Sequence, residues 1–172
     1  MRTRTWIVTA LFLGIAAAPA LAQGRHDGFW FGFGLGGGVA HDEGGGAGYF
    51  RLGGTPADML LVGAEAIAWV KSENNTTVSQ GNVTGNILFY PSLNGGFFLK
   101  TGLGFATVTA TATSGTVTVS VSDQGFGTTF GAGYDIRLGR NLYLTPNADL
   151  LLQVISGSTE TVFLFTVGLT WN

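Results

Sequence analysis

Apolar and polar side chains alternate along most of this chain, and the alternation lapses and resumes to give eight separate runs. Phe29, Phe31, Phe33 and Leu35 interleave with Trp30, Gly32, Gly34 and Gly36, and Gly48, Phe50 and Leu52 with Ala47, Tyr49 and Arg51. Leu60, Val62, Ala64, Ala66, Ala68 and Val70 oppose Leu61, Gly63, Glu65, Ile67, Trp69 and Lys71, while Val83, Ile87 and Phe89 oppose Asn82, Thr84 and Asn86. In the second half the apolar sets are Phe97/Leu99/Leu103/Phe105, Phe126/Phe130/Tyr134/Ile136/Leu138, Leu142/Leu144/Ala148/Leu150/Leu152 and Phe163/Phe165/Val167/Leu169/Trp171. A period of two puts successive side chains on opposite faces of a strand. The pattern therefore predicts eight strands.

Charge follows the same alternation. Arg51, Glu65, Lys71, Lys100, Asp135, Arg137 and Asp149 fall within the runs, each on the face opposite the apolar set. That polar face is also rich in glycine and in large rings, which is unusual for a surface that meets water. The connectors alternate in length as well. Those after odd strands (40–46, 72–81, 111–124 and 155–160) run 7, 10, 14 and 6 residues, against 4, 5 and 3 after even strands (55–58, 91–95 and 139–141). One rim of long loops and one of tight turns is the layout of a bacterial outer-membrane barrel.

Composition separates that layout from a soluble sandwich, which alternates too. Charged residues are only 10% of the 172, against about a quarter in an ordinary soluble domain. A sandwich shows its charge to water, whereas a barrel in lipid has only a narrow inner surface to hold it. The expected fold is thus all-β, an eight-stranded antiparallel transmembrane β-barrel with up-and-down connections. With no cysteine, the chain has neither a disulfide framework nor a thiolate metal site.

The first residues predict the compartment. Arg2 and Arg4 precede an apolar run from Trp6 to Ala18, then Pro19 and Ala20-Leu21-Ala22: a basic region, a short hydrophobic region and an A-x-A cleavage box. The run is shorter than the roughly 20 residues a spanning helix needs. Residues 1–22 read as a signal peptide and 23–172 as the barrel domain, the mature chain starting at Gln23. Cleavage removes two bases and no acid, leaving six bases against ten acids, a charge of −4. Nothing in it suggests nucleic acid, which calls for clustered Lys and Arg.

"FLKTGLGFAT" and the ending "TVGLTWN" resemble the small outer-membrane β-barrel proteins of the OmpA/OmpX type, over nearly the whole mature chain. The resemblance implies a filled interior and no separate periplasmic domain. It also implies that Gly168, Leu169 and Trp171 form the C-terminal signal read by the barrel-assembly machinery, although such signals end on the aromatic residue and here Asn172 follows. Periplasmic chaperones, outer-membrane lipid and lipopolysaccharide are the implied partners.

The candidate sites follow from that frame. "GFGLGGGV", Gly32–Val39, matches G-x-G-x-x-G-x-V, yet a dinucleotide fingerprint needs a helix after it and the following residues show no helical period. Gly32, Gly34 and Gly37 read as strand glycines that admit bulky inward neighbours, so no cofactor is expected. Arg51, Glu65, Lys100, Asp135, Arg137 and Asp149 form the expected lumen charge network, either interlocking ion pairs or the lining of a narrow ion path. Glu65 is expected to pair with Arg137 or Lys100. The histidines, His26 and His41, are expected on surface segments, and His41-Asp42-Glu43 reads as a solvated turn rather than a metal or catalytic site. The stretch "TATSGTVTVSVSDQ" either extends its flanking strands as an exposed ribbon or forms a solvated hairpin. Pro146 removes a ladder donor where no edge is free, and a bulge is expected there. The expected role is a non-enzymatic structural or surface-exposed envelope protein in the outer membrane, with a narrow porin-like channel as the alternative and a lipid-modifying enzyme behind it.

Overall fold

The computed structural model describes residues 28–172, so the signal-peptide reading of residues 1–22 and His26 lie outside the described residues. The described chain is one antiparallel meander: β1 (Phe29–Ala40), β2 (Glu43–Ala57), β3 (Leu60–Glu73), β4 (Thr76–Phe89), β5 (Phe97–Ser114), β6 (Val117–Tyr134), the short β7 (Ile136–Arg137), β8 (Leu142–Ile155) and β9 (Ser158–Trp171). From β1 to β6 each strand pairs with the next, β6 and β7 both pair with β8, β8 pairs with β9, and β9 returns to β1. The ring closes through eight long strands, with β7 a two-residue continuation of the sixth wall strand. Closure leaves no long edge at the level of the wall.

The alternation sorts the faces as the residue pattern predicts. Phe33, Leu35, Phe50, Val83, Leu103, Phe105, Phe126, Phe130 and Phe165 are exposed on the outside, Leu35 and Phe105 by 77% each. Trp30, Arg51, Glu65, Trp69, Lys100 and Asp149, at the opposite parity, are buried within the ring. An outside that is apolar and an inside that is charged invert the arrangement of a soluble domain.

Two expectations are corrected. The stretches taken as long loops are strand, closed by two-residue turns at His41–Asp42, Asn74–Asn75, Gly115–Thr116 and Ser156–Gly157. His41 and Asp42, Asn74 and Asn75, and Ser156 and Gly157 all adopt positive φ, the requirement of a type I′ hairpin, and Gly115 supplies the single positive φ of a type II′ turn. These turns match the twist of the flanking strands, so the ladders run on to the tips, and that rim is set by strand height rather than by long loops. The other rim holds the less regular connections, with Tyr90–Gly96 the longest.

Pro146 makes no bulge. The β6–β8 ladder ends at Gly133↔Asn147 and pairing resumes at Ile136↔Leu144, with the sum of partner numbers unchanged. Pro146 therefore stands in an in-register gap, opposite the break between β6 and β7, where no donor is required of it. Asp135, in that break, turns its backbone N–H to the Gly96 carbonyl at 2.8 Å.

Candidate functional site

The barrel interior is built in three layers. Towards the turn-tip rim, Tyr49, Ile67, Trp69, Leu151, Val162 and Leu164 pack with Ala40 and Ala47; towards the terminal rim, Trp30, Leu61, Leu88, Tyr90 and Phe98 pack together. The two layer tryptophans satisfy their indoles on the wall, Trp69 Nε1 donating to the Gly38 carbonyl (3.1 Å) and Trp30 Nε1 to the Gly54 carbonyl (3.2 Å). Between the two apolar layers lies a polar one, and almost all the interior charge is in it.

Lys100 on β5 is its centre. Its Nζ donates to both carboxylate oxygens of Glu65 on β3 at 2.7 Å and stands 2.8 Å from Asp149 Oδ1 on β8. Attraction of opposite charge in the dry interior holds the Asp149 contact. All three side chains are within 1% of complete burial. Gly131 explains how β8 reaches β5 past the intervening strand. It is the register partner of both Lys100 and Asp149, and a Cβ on it would overlap Asp149 Oδ1. The missing side chain is the gap through which the ion pair forms.

Arg51 is held differently. Its Nη2 donates to Thr170 Oγ1 at 3.3 Å, while Nε and Nη1 have no hydrogen-bond partner. The guanidinium instead lies 5.0–5.9 Å from the ring centroids of Tyr49, Phe98 and Trp30, whose π faces attract a cation. Asp135 accepts from Tyr90 Oη and from Thr145 Oγ1, both at 2.7 Å. Amides brace the lumen across its width: Asn147 Nδ2 donates to Tyr49 Oη (3.1 Å), and Gln153 Nε2 donates to Asn82 Oδ1 (2.8 Å).

Of the six expected network residues, the structure brings Glu65, Lys100 and Asp149 together and places Arg51 and Asp135 in the same interior on partners of their own. Arg137 is the correction. It is exposed at the terminal rim, donating to the carbonyls of Gly139 and Arg140 and lying over the Tyr143 ring. Its parity is that of the lumen, but β7 ends the wall there and the side chain caps the mouth instead of entering it. The sequence reading does not single out the partners Tyr49, Tyr90, Thr145, Asn147, Thr170 and Gln153 as members of the network. Inward parity marks Asn147 and Gln153, whereas Tyr90 lies in a connector without periodicity.

The remaining candidates resolve into architecture. Gly32 gives space to Thr170 Oγ1 and Arg51 Nε, and Gly34 and Gly168 lie under the Tyr49 ring. Trp171 is half exposed on the outer face beside Phe31 and Leu142, and Leu169 pairs with Phe33 and Leu144. At the tips, His41 pairs with Glu160, and Lys71 bridges Glu43 (3.1 Å) and Glu73 (2.8 Å). The hydrogen bond from Lys71 holds the Glu73 carboxyl below the usual range, and Glu73 followed by Glu43 holds the Lys71 ammonium above its own.

A closed eight-stranded ring with an apolar exterior and a packed, ion-paired interior is the fold of the small outer-membrane β-barrels. Solved structures of such barrels share this fold. The attachment invasion locus protein Ail of Yersinia pestis superposes with a TM-score of 0.59 at 12% identity, covering 84% of this chain and 99% of that one. Neisserial surface protein A gives 0.60 at 10% identity over 84% and 97%, and the N-terminal β-barrel domain of Pseudomonas aeruginosa OprF gives 0.57 at 12% over 86% and 100%. At these identities the likeness is one of fold. No protein-family model and no curated protein sequence matches the chain.

Proposed function

We propose that this chain is an integral outer-membrane protein with a structural or surface-interaction role, carrying no enzymatic activity and no continuous pore. The observation that carries the reading is the inverted surface: a belt of exposed Phe, Leu and Val around buried Glu65, Lys100 and Asp149. Such a belt has its stable partner in lipid, where every backbone group must already be bonded within the barrel. Residues 1–22 direct export and are removed at Ala22. Gly168, Leu169 and Trp171 engage the assembly machinery, after periplasmic chaperones have kept the chain soluble, and lipopolysaccharide surrounds the finished outer face.

Two features support a closed lumen over a channel. Apolar layers cover both ends of the polar layer, and eight strands enclose only enough room for side chains. The placement of His41 in a surface turn, bonded to Glu160, supports a non-enzymatic role. Planar-bilayer recording of the purified protein tests the reading. The baseline stays silent if the layers seal the barrel, and discrete single-channel steps would replace this proposal with the porin-like one.

A further inference from the structure

The β3–β4 and β5–β6 hairpins rise together above the rest of the wall, and the β6 side of that rise is an open edge. β6 pairs with β5 along its whole length, from Val117↔Ser114 to Tyr134↔Phe97, but with β8 only from Phe126 to Gly133. Gly125 is set against the Val154 carbonyl, so the unpaired run is Val117 to Gln124. On this run, N–H and C=O groups that do not bond to β5 point outward, a row able to accept another strand.

The two sides of this projection are not alike. Its other boundary, the end of β3 beyond Val70, has no β2 partner and carries Lys71 ion-paired to Glu43 and Glu73. Charges of that kind block edge pairing. The β6 side carries only Asp123 and otherwise reads Val-Thr-Val-Ser-Val-Ser, with Val117, Val119 and Val121 exposed by 59–65%.

We propose that the β6 edge pairs antiparallel with the β6 edge of a second copy held in a facing membrane; this rests on the membrane-barrel reading above. The edge is complementary to itself. A two-fold axis through Ser120, perpendicular to the ribbon, sets Val119 against Val121, Thr118 against Ser122 and Val117 against Asp123. Valines then meet on one face and hydroxyls on the other, and no like charges oppose each other. Orientation selects the facing membrane. Barrels in one membrane point the same way, so a two-fold axis along the membrane normal keeps both β6 strands descending and forbids an antiparallel ladder. An axis lying in the membrane plane reverses one strand and permits it. Six residues of strand separate Ser120 from Phe126; at about 3.3 Å per residue and a tilt near 40° the two aromatic boundaries stand roughly 30 Å apart.

The test uses the purified full chain in phosphatidylcholine vesicles, with flotation confirming insertion. Vesicles carrying wild type cluster, measured by light scattering, whereas those carrying Ser120→Lys do not, because lysines then face each other across the axis. Ser120→Glu alone also fails to cluster, and mixing the Lys and Glu populations restores it. The same exchange at Ser156, in the β8–β9 turn, leaves clustering at the wild-type level. Since the chain has no cysteine, Ser120→Cys forms a disulfide-linked dimer between separately labelled vesicle populations when oxidised glutathione is added as the two-electron oxidant. Inserted wild type that leaves vesicles dispersed, clustering that survives Ser120→Lys, or cross-links confined to one vesicle population would each overturn the pairing. Protein that does not float with the vesicles would instead overturn the membrane reading beneath it.

Discussion

β5 and β6 pass through two environments, and their faces exchange polarity between them. In the wall, Leu99, Leu103, Phe105, Phe126 and Phe130 point out and Lys100 and Thr129 point in. Beyond the pair Phe105↔Phe126 the same parities carry the opposite chemistry. Thr109 meets Ser122, Thr111 meets Ser120 and Thr113 meets Thr118 on the outer face, hydroxyl to hydroxyl at 2.6, 2.9 and 3.3 Å, while the valines of β6 lie on the lumen side. Backbone geometry does not change at the crossing; the surroundings do. A lipid-facing wall requires apolar residues outside, and a ribbon in water tolerates hydroxyls. The crossing at Phe105 and Phe126 marks the membrane boundary from the side-chain chemistry alone.

The difference between wall and ribbon predicts how equivalent substitutions behave in each. The largest effect is at the ion cluster. Lys100→Ala strands the Glu65 and Asp149 carboxylates in the sealed layer and costs about 3–5 kcal/mol in urea unfolding of the reconstituted protein. Lys71→Ala, on the exposed tip, leaves the unfolding midpoint where it was, because an exposed pair is screened. Equal losses for the two lysines would erase the distinction between interior and tip.

Gly131→Ala comes next. The added methyl occupies the space of Asp149 Oδ1 and destabilises by about 1–3 kcal/mol through overpacking and loss of the Lys100 contact. Gly44→Ala, with nothing near its added Cβ, stays within about 0.5 kcal/mol of wild type in the same unfolding assay. Within the ribbon the scale is smaller again. Thr111→Val removes one cross-strand hydroxyl pair and lowers stability by about 0.2–1 kcal/mol, read from faster amide exchange in the ribbon with wall protection unchanged.

The smallest effect is one of pH. Glu73 titrates below its ordinary range, so its stabilisation is present above the unfolded pKa and lost as pH falls through the lower folded value. Lys71 titrates above its ordinary range, so its share is present below the unfolded pKa and lost as pH rises through the folded one. Glu73→Gln flattens the acid limb of tip exchange rates without shifting global unfolding.

The residue pattern shows most of the wall because the wall obeys a local rule. Lipid on one side and a narrow lumen on the other leave period two as the stable reading of Phe97 to Phe105, and they send Glu65, Lys100 and Asp149 inward. Where that pressure lapses the rule weakens. Thr109, Thr111 and Thr113 alternate without apolar partners on the outer face, so the pattern counts 111–124 as a connector and leaves ribbon and solvated hairpin open, and the structure takes the ribbon. Partner choice inside the barrel is set by register across strands: that Gly131 lies between Lys100 and Asp149 depends on the stagger of β5, β6 and β8, which no local spacing encodes. Arg137 misleads for a related reason, since parity assigns a face but not the height at which the wall stops.

The central claim is that lipid surrounds the apolar belt, and Ala66 tests it most directly. Ala66 is exposed on the outer face between Phe50 and Val83, next to the buried Glu65 and Ile67. Ala66→Arg and Ala66→Leu are to be compared with wild type in refolding into phospholipid vesicles, followed by urea titration. The account predicts that arginine costs about 2–4 kcal/mol on the lipid face while leucine is neutral or mildly favourable. An arginine variant that folds as well as wild type in buffer without lipid or detergent, with the leucine variant aggregating, would contradict it.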